Sequence, residues 1–435
     1  MSPRVLVLVA GAALLTTACG GGDTTTPAAS GSSAPASSAA AEPSPSGSAA
    51  PVRSNADLVI WTDELKAAAV KPIAAKFATD NGITVDVQVI SADLQANFVT
   101  ANAAGNGPDV FTGAHDWIGN LVQNGAISPL QITADKLSGY APISVAATTY
   151  QSKLYALPFG FEAIALYRNT AIAPDEPKTL DDAIKVGQAA VTAGKVESAL
   201  NLQQGDNGDA YHMEPVLTSM GGYLFGKTSA GDYDPKDLGV GKEGSLAAAK
   251  KIAELGEKGS KVLRRSISGD NSIALFASGK AAFLVSGPWA LPDIQKAGVK
   301  YAISPVPGFA GQKAAKPFSG VQGFYVASKG KNQAFAQEFV ANAMNTEASM
   351  QAMYDGAKIP PAMNAVADKV GADNPDVKVF VEAAKGGDPM PAIPAMQKVW
   401  EPLGKAYSAI IGGADPAATM TATGKTIAAA IAAAG

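Results

Sequence analysis

Apolar and polar positions change period several times along the chain, and each change predicts an element. Residues 57–61, DLVIW, form a short apolar strand, and residues 64–80 carry helix-compatible spacing that Gly82 ends. Ile83, Val85, Val87 and Val89 then alternate with Thr84, Asp86 and Gln88, a period of two that predicts a strand with one buried face. Ser91 stands where it could cap a helix over 93–103, and Gly105-Asn106-Gly107-Pro108 turns the chain into a strand at 109–111. Strand, helix, strand, helix, strand predicts an α/β fold with a mainly parallel sheet, whose ligands lie at the carboxyl ends of the strands.

Residues 154–167, LYALPFGFEAIALY, are apolar around one carboxylate, Glu162, the only charge between Lys153 and Arg168. An ionised Glu in such a run is costly to bury unless donors meet it. Two readings stay open: a structural carboxylate satisfied by backbone N–H groups or an Arg, or an acceptor facing a ligand where the chain passes between two lobes. The same grammar then restarts. Helices are predicted at 179–192, 214–220, 245–257 and 273–278, and strands at 198–202 and 281–285. Ser286-Gly287-Pro288-Trp289 follows, and Pro288 suits the first turn of a helix, which sets Trp289 at a strand-to-helix corner. After 301–306, residues 317–326 carry Gly320 and Gly323 and end in a strand, and helices dominate from Asn332 onward. No repeat of 20–50 residues is visible.

The first residues have another pattern. Val5 to Leu15 is an apolar segment of eleven residues, too short to span a bilayer, closed by Thr16-Thr17-Ala18 and then Cys19. Residues 1–19 thus read as a secretory signal. Cys19 is the only cysteine and has no internal disulfide partner. Its setting resembles a bacterial lipobox, with Thr16 where Leu is usual, in which the cysteine takes lipid and anchors the chain. Residues 20–56 are Gly, Ser, Thr, Ala and Pro with almost no large apolar side chain, a disordered tether with a reach of roughly 35 Å. The chain of 435 residues is long enough for two lobes, and 47% hydrophobic content supplies their cores. With a formal net charge of −4 and no basic block, nucleic acid is not an expected partner.

Candidate chemistry narrows by subtraction. Gly221 to Thr228, GGYLFGKT, satisfies G-x-x-x-x-G-K-[ST], but a predicted helix precedes it and a turn follows, so it reads as a Gly-rich hairpin. Gly239 to Gly244 matches G-x-G-x-x-G without a strand before it and reads as the turn that starts the next helix. The two histidines, His115 and His212, lie far apart, so no metal site is expected, and His115 reads as a structural hydrogen-bonding residue beside Asp116. No carboxylate spacing singles out a glycosidase pair. What remains is carboxylates and aromatic rings at strand ends, the combination that pairs with sugar hydroxyls and covers sugar C–H faces. For each of Trp61, Trp117, Trp289 and Trp400, core packing is the competing reading.

From Asp57 onward the chain resembles the maltose/maltodextrin-binding proteins, extracellular solute-binding components of ATP-binding-cassette (ABC) sugar importers. DLVIW, GPDVFTGAHD at 107–116, LPFGFEAIALYRN at 157–169, NLQ at 201–203, GGY at 221–223, SGPWA at 286–290, KPFSGV at 316–321 and MPAIPAM at 390–396 carry the resemblance. It implies a two-lobed, type II periplasmic-binding-protein-like fold: a lobe of 57–161 plus 322–372, another of 162–321 plus 373–435, and crossings near Glu162, Gly320 and Asn374. By the same resemblance Asp116 and Glu162 are sugar-hydroxyl acceptors, Tyr211, Trp289 and Trp400 are stacking aromatics, and Asp209 and Asp63 or Glu64 are further acidic groups. Gly113 stands where the family often has Trp and Trp117 where it has Arg, which puts Trp117 into the site as a displaced aromatic. Gln95 and Ala96 replace two acidic residues, 205–208 add a loop, and Gly404 replaces an Arg. The implied protein is no enzyme and uses no cofactor. It is a lipid-anchored monomer on the outer face of the cell membrane that binds a maltodextrin-type α-glucan by hinge closure and passes it to a permease. A receptor for a trehalose-like or cyclic glucan, or a secreted glycoside-active enzyme, are the alternatives.

Overall fold

The computed structural model describes residues 51–229 and 231–434. The signal segment, Cys19 and nearly all of the tether lie outside the described residues.

Two β-sheets organise the chain. The first begins with Leu58–Thr62, paired in parallel with Val85–Val89 on one side and Val110–Ala114 on the other. The predicted helix between the first two strands is Glu64–Asn81, and Gly82, at φ 63°, closes it by donating to the carbonyls of Ala78 and Thr79. The next helix, Leu94–Ala103, starts after Asp93, not at a Ser91 cap; Asp93 has φ 50° and its side chain makes no capping bond. The apolar run around Glu162 divides into two strands that join different sheets. Ala156–Glu162 pairs with the long strand Phe318–Ala327 in the first sheet, and Ala165–Asn169 pairs with Ala281–Ser286 and Tyr301–Ser304 in the second. Glu162 therefore ends one strand where the chain passes from sheet to sheet.

The expectation of mainly parallel sheets is corrected here. In the seven-stranded sheet, Phe318–Ala327 runs antiparallel to Val110–Ala114, Ala156–Glu162 and Ile127–Ser128. In the four-stranded sheet only Ser198–Leu202 and Ala281–Ser286 are parallel. The physical reason is connectivity: strands delivered by a chain that has just crossed from the other sheet enter against the direction set by strand–helix–strand units.

Strand alternation sends successive residues to two cores on each sheet. Leu58, Ile60 and Val110 face a cluster with Phe159, Phe324 and Phe339, whereas Val59, Trp61 and Phe111 face one with Phe98 and Tyr325. Leu166, Phe283 and Val285 likewise face one core, and Ala165, Tyr167 and Leu284 the other. Helix Pro375–Gly386 packs on both systems: Val377 and Ala384 join the first sheet's core and Phe380 meets Tyr167.

Residues before Asp57 already pack onto the fold. Arg53 is buried and its Nη1 donates to Asp109 Oδ2 at 2.7 Å, so the tether drawn to Ala56 ends before this anchor. The GGYLFGKT segment enters the strand Phe225–Lys227 of an antiparallel hairpin with Tyr233–Leu238, and GVGKEG leads into helix Glu243–Leu255. Both are the turns expected of them.

Candidate functional site

The carboxylates gather at strand and helix ends. Asp63 caps helix Glu64–Asn81, accepting from the Lys66 backbone N–H at 3.1 Å, and its other oxygen pairs with the Lys66 ammonium. Lys66 is itself buried. Asp116 sits in the turn His115–Trp117 directly after strand Val110–Ala114. Burial pushes its carboxyl up to about 7; the indole of Trp400 opposes this and the charge of Glu162 adds to it. Burial also raises Glu162, while the Lys66 charge and a 2.7 Å bond donated by the Gln322 amide hold it down. Lys66 and Asp63 thus act on Glu162, and Glu162 on Asp116, which places the four charges within electrostatic reach of Glu162.

Aromatic rings face it from the second sheet. Tyr211 lies in the first turn of helix Ala210–Ser219, and its hydroxyl donates to the Glu162 carbonyl at 3.1 Å. Its ring is 6.4 Å from Trp289 and 6.0 Å from Phe318, near parallel to the latter at 24°. Trp400, first in helix Trp400–Ile411, meets Phe318 edge-on at 5.8 Å. Trp289 occupies the turn Pro288–Ala290 after strand Ala281–Ser286, the corner its sequence predicts.

Two glycines make room for indoles. A Cβ on Gly287 would stand 2.1 Å from the Trp289 ring, and one on Gly113 would stand 2.4 Å from the Trp117 ring. Trp117 thus lies over the position where a side chain at 113 would begin, and it packs against the core that holds Trp61 and Phe98.

Other predicted residues sit differently. Asp209 caps its helix, accepting from the His212 backbone N–H at 2.8 Å, and also bonds His212 Nδ1 and the Gln203 amide, so its acceptors are spent locally. Glu64 is exposed in the first helical turn, where an acidic side chain complements the helix dipole. Trp61 is fully buried, its indole N–H donating to Gln88. His115 is structural: Val321 N–H donates to Nδ1 and Nε2 meets the Met390 carbonyl, both at 3.1 Å, and burial lowers its pKa to about 4. Among the described residues no cluster of His, Cys, Asp and Glu could hold a metal ion.

Sequence reasoning missed Lys66, Gln322 and Phe318. Lys66 carried a signal, since it shares an i, i+4 stripe with the apolar Val70 and Ala74. Phe318 lay inside a quoted motif. Gln322 is a lone amide on a wholly buried strand.

A sequence profile described as bacterial extracellular solute-binding protein matches residues 72–379. The chain belongs to this family. As a member, it is a binding protein and not an enzyme. The solute-binding protein is 30% identical to the galactooligosaccharide-binding protein of Bacillus subtilis, over 87% of this chain and 90% of the relative. It is 27% identical to the maltodextrin-binding protein MdxE of the same organism, over 79% and 82%. A maltooligosaccharide ABC transporter solute-binding lipoprotein of Streptococcus pneumoniae is 25% identical, over 83% and 85%. No helix among the described residues of the solute-binding protein is long and apolar enough to cross a membrane.

Proposed function

We propose that this solute-binding protein captures a maltodextrin-type oligosaccharide between two lobes, 57–161 plus 322–372 and 162–321 plus 373–435, and delivers it to an ABC importer permease. The observation that carries the reading is the meeting of Tyr211, Trp289, Phe318 and Trp400 with Asp116, Glu162 and Lys66 across the strand crossing. Aromatic faces cover sugar C–H surfaces, carboxylates accept from hydroxyls, and the buried ammonium donates to ring or hydroxyl oxygens. The acidic groups come largely from the first sheet and the rings belong to the core of the second, so a solute touching both favours a closed arrangement. Lipid on Cys19, left as the first residue once 1–18 are removed, would tether the monomer to the outer face of the membrane.

The relative named for galactooligosaccharide supports a second reading, a galactooligosaccharide-type solute, as do Gly113, Gln95 and Ala96 where the maltodextrin pattern differs. Titration calorimetry with maltotriose, longer maltodextrins, galactooligosaccharides, trehalose and cyclodextrin separates these readings. Trp289→Ala and Glu162→Ala should each remove most of the affinity and leave the fold intact; unchanged binding in both would sink the site. Recovery of unaltered maltotriose after long incubation distinguishes a receptor from a glycoside-active protein.

A further inference from the structure

Gln322 stands at the crossing where the acidic group meets the aromatic wall. In the register of the first sheet, Gly320 faces Glu162 and Gln322 faces Gly160. Each polar side chain therefore has a glycine opposite, and the two meet diagonally, as i and j+2 neighbours on one face do. Gly320 keeps the space open, since a Cβ there would come within 2.6 Å of the Glu162 carbonyl. A register irregularity between Gln322 and Gly323 re-aims the pair, a common use of bulges beside binding sites. The strand is fixed from behind, because Val321 N–H donates to His115.

Within this frame the Gln322 amide N–H donates to Glu162 Oε2 at 2.7 Å. An ionised carboxylate only accepts, so the amide nitrogen must point at Glu162 and the amide oxygen away from it. Among the described residues neither Gln322 Oε1 nor Glu162 Oε1 receives a hydrogen bond, and neither is among the buried atoms without a partner, so both oxygens keep access to solvent. Gln322 is otherwise largely buried, and whatever donor reaches its oxygen comes from outside the protein, as water or as a bound solute.

We infer that Gln322 is a solute-contacting specificity residue: its N–H fixes Glu162, and its Oε1 with the free Glu162 Oε1 presents two neighbouring acceptors to hydroxyls of the bound sugar. This rests on the oligosaccharide reading above for the ligand, but the Gln322–Glu162 coupling does not depend on it. A side chain that only filled space could be replaced by Leu without consequence for either partner.

The test uses Gln322→Leu and Gln322→Glu in the whole protein, with titration calorimetry against the sugar the wild type binds best and carbon-13 NMR titration of Glu162 without sugar. Gln322→Leu should weaken binding about tenfold or more, the scale of a hydrogen bond to a charged group, and raise the Glu162 titration midpoint. Gln322→Glu should bind poorly at alkaline pH and recover as pH falls, when a shared proton restores an O–H donor between the carboxyls. Lys66, Asp63 and Asp116 also face Glu162, and their influence is common to all variants. Wild-type affinity and an unchanged Glu162 titration in Gln322→Leu would overturn the inference. Equal, pH-independent losses in both variants with a matching drop in melting temperature would overturn it in favour of a packing role. If the wild type binds no sugar while the Glu162 titration still moves, the coupling is upheld and the solute contact falls with the oligosaccharide reading.

Discussion

Glu214 offers a sharp test of the electrostatics, because its burial is almost uncompensated. It lies on the inner side of helix Ala210–Ser219, 5% exposed, and its Oε2 has no hydrogen-bond partner. It lines a cavity of about 320 Å³ with Lys227, Lys313, Lys316, Phe318 and Asp388. Burial first, and the Asp388 charge second, push its carboxyl up to about 8 from an ordinary 4.5. A raised carboxyl favours the folded state while it is protonated, so this contribution is complete below the unfolded value and is lost as pH rises toward 8. Each pH unit in that window removes about 1.4 kcal/mol, hence on the order of 3 kcal/mol between pH 5 and pH 7.5. Glu214→Gln carries no charge at any pH and should lose none of it. Urea unfolding at several pH values should show two proteins of similar stability at pH 5 and a widening advantage for the variant above it. A difference that stays constant across the range would refute the reasoning. It would mean that the carboxyl ionises normally, as it would if the Lys313 ammonium turned inward to pair with it.

Three further outcomes follow from the same structure. Asp116→Asn should abolish a fall in solute-free stability as pH rises toward 7, where the wild-type carboxyl ionises, while weakening solute binding; a pH profile parallel to wild type would contradict its raised pKa. Arg53→Ala should cost about 3–5 kcal/mol in urea unfolding, since it leaves the Asp109 charge buried with its partner gone. Gly287→Ala should displace the Trp289 ring, cost about 1–3 kcal/mol, and shift tryptophan fluorescence, whereas an unchanged emission spectrum would show that the ring does not lean on residue 287.

Much of the fold was legible because strongly periodic segments state their burial directly. The alternation of Ile83 to Val89 and the capped stretch from Glu64 gave the right elements within a residue or two. Strand direction was not legible, because nothing in Phe318–Ala327 says from which sheet the chain arrives. In the site, carboxylates and indoles at strand ends were readable as types. Their partners were not: Asp209 looks the same in sequence whether it faces a solute or, as found, caps a helix and holds His212. Gln322 became visible only when the crossing strands were brought together, whereas the stripe that Lys66 shares with Val70 and Ala74 was there to be read.

The bare backbone beneath Trp117 and Trp289 separates the place of a ring from the residue that supplies it. At Gly113 the strand carries no side chain, and the indole arrives from four positions later. A surface built this way can change its aromatic lining by exchanging which of two nearby residues is large, with the strand beneath left as it is. The place of a ring can then be kept while its source changes, without any new arrangement of the sheets, and a double exchange at 113 and 117 would retrace such a step in the laboratory.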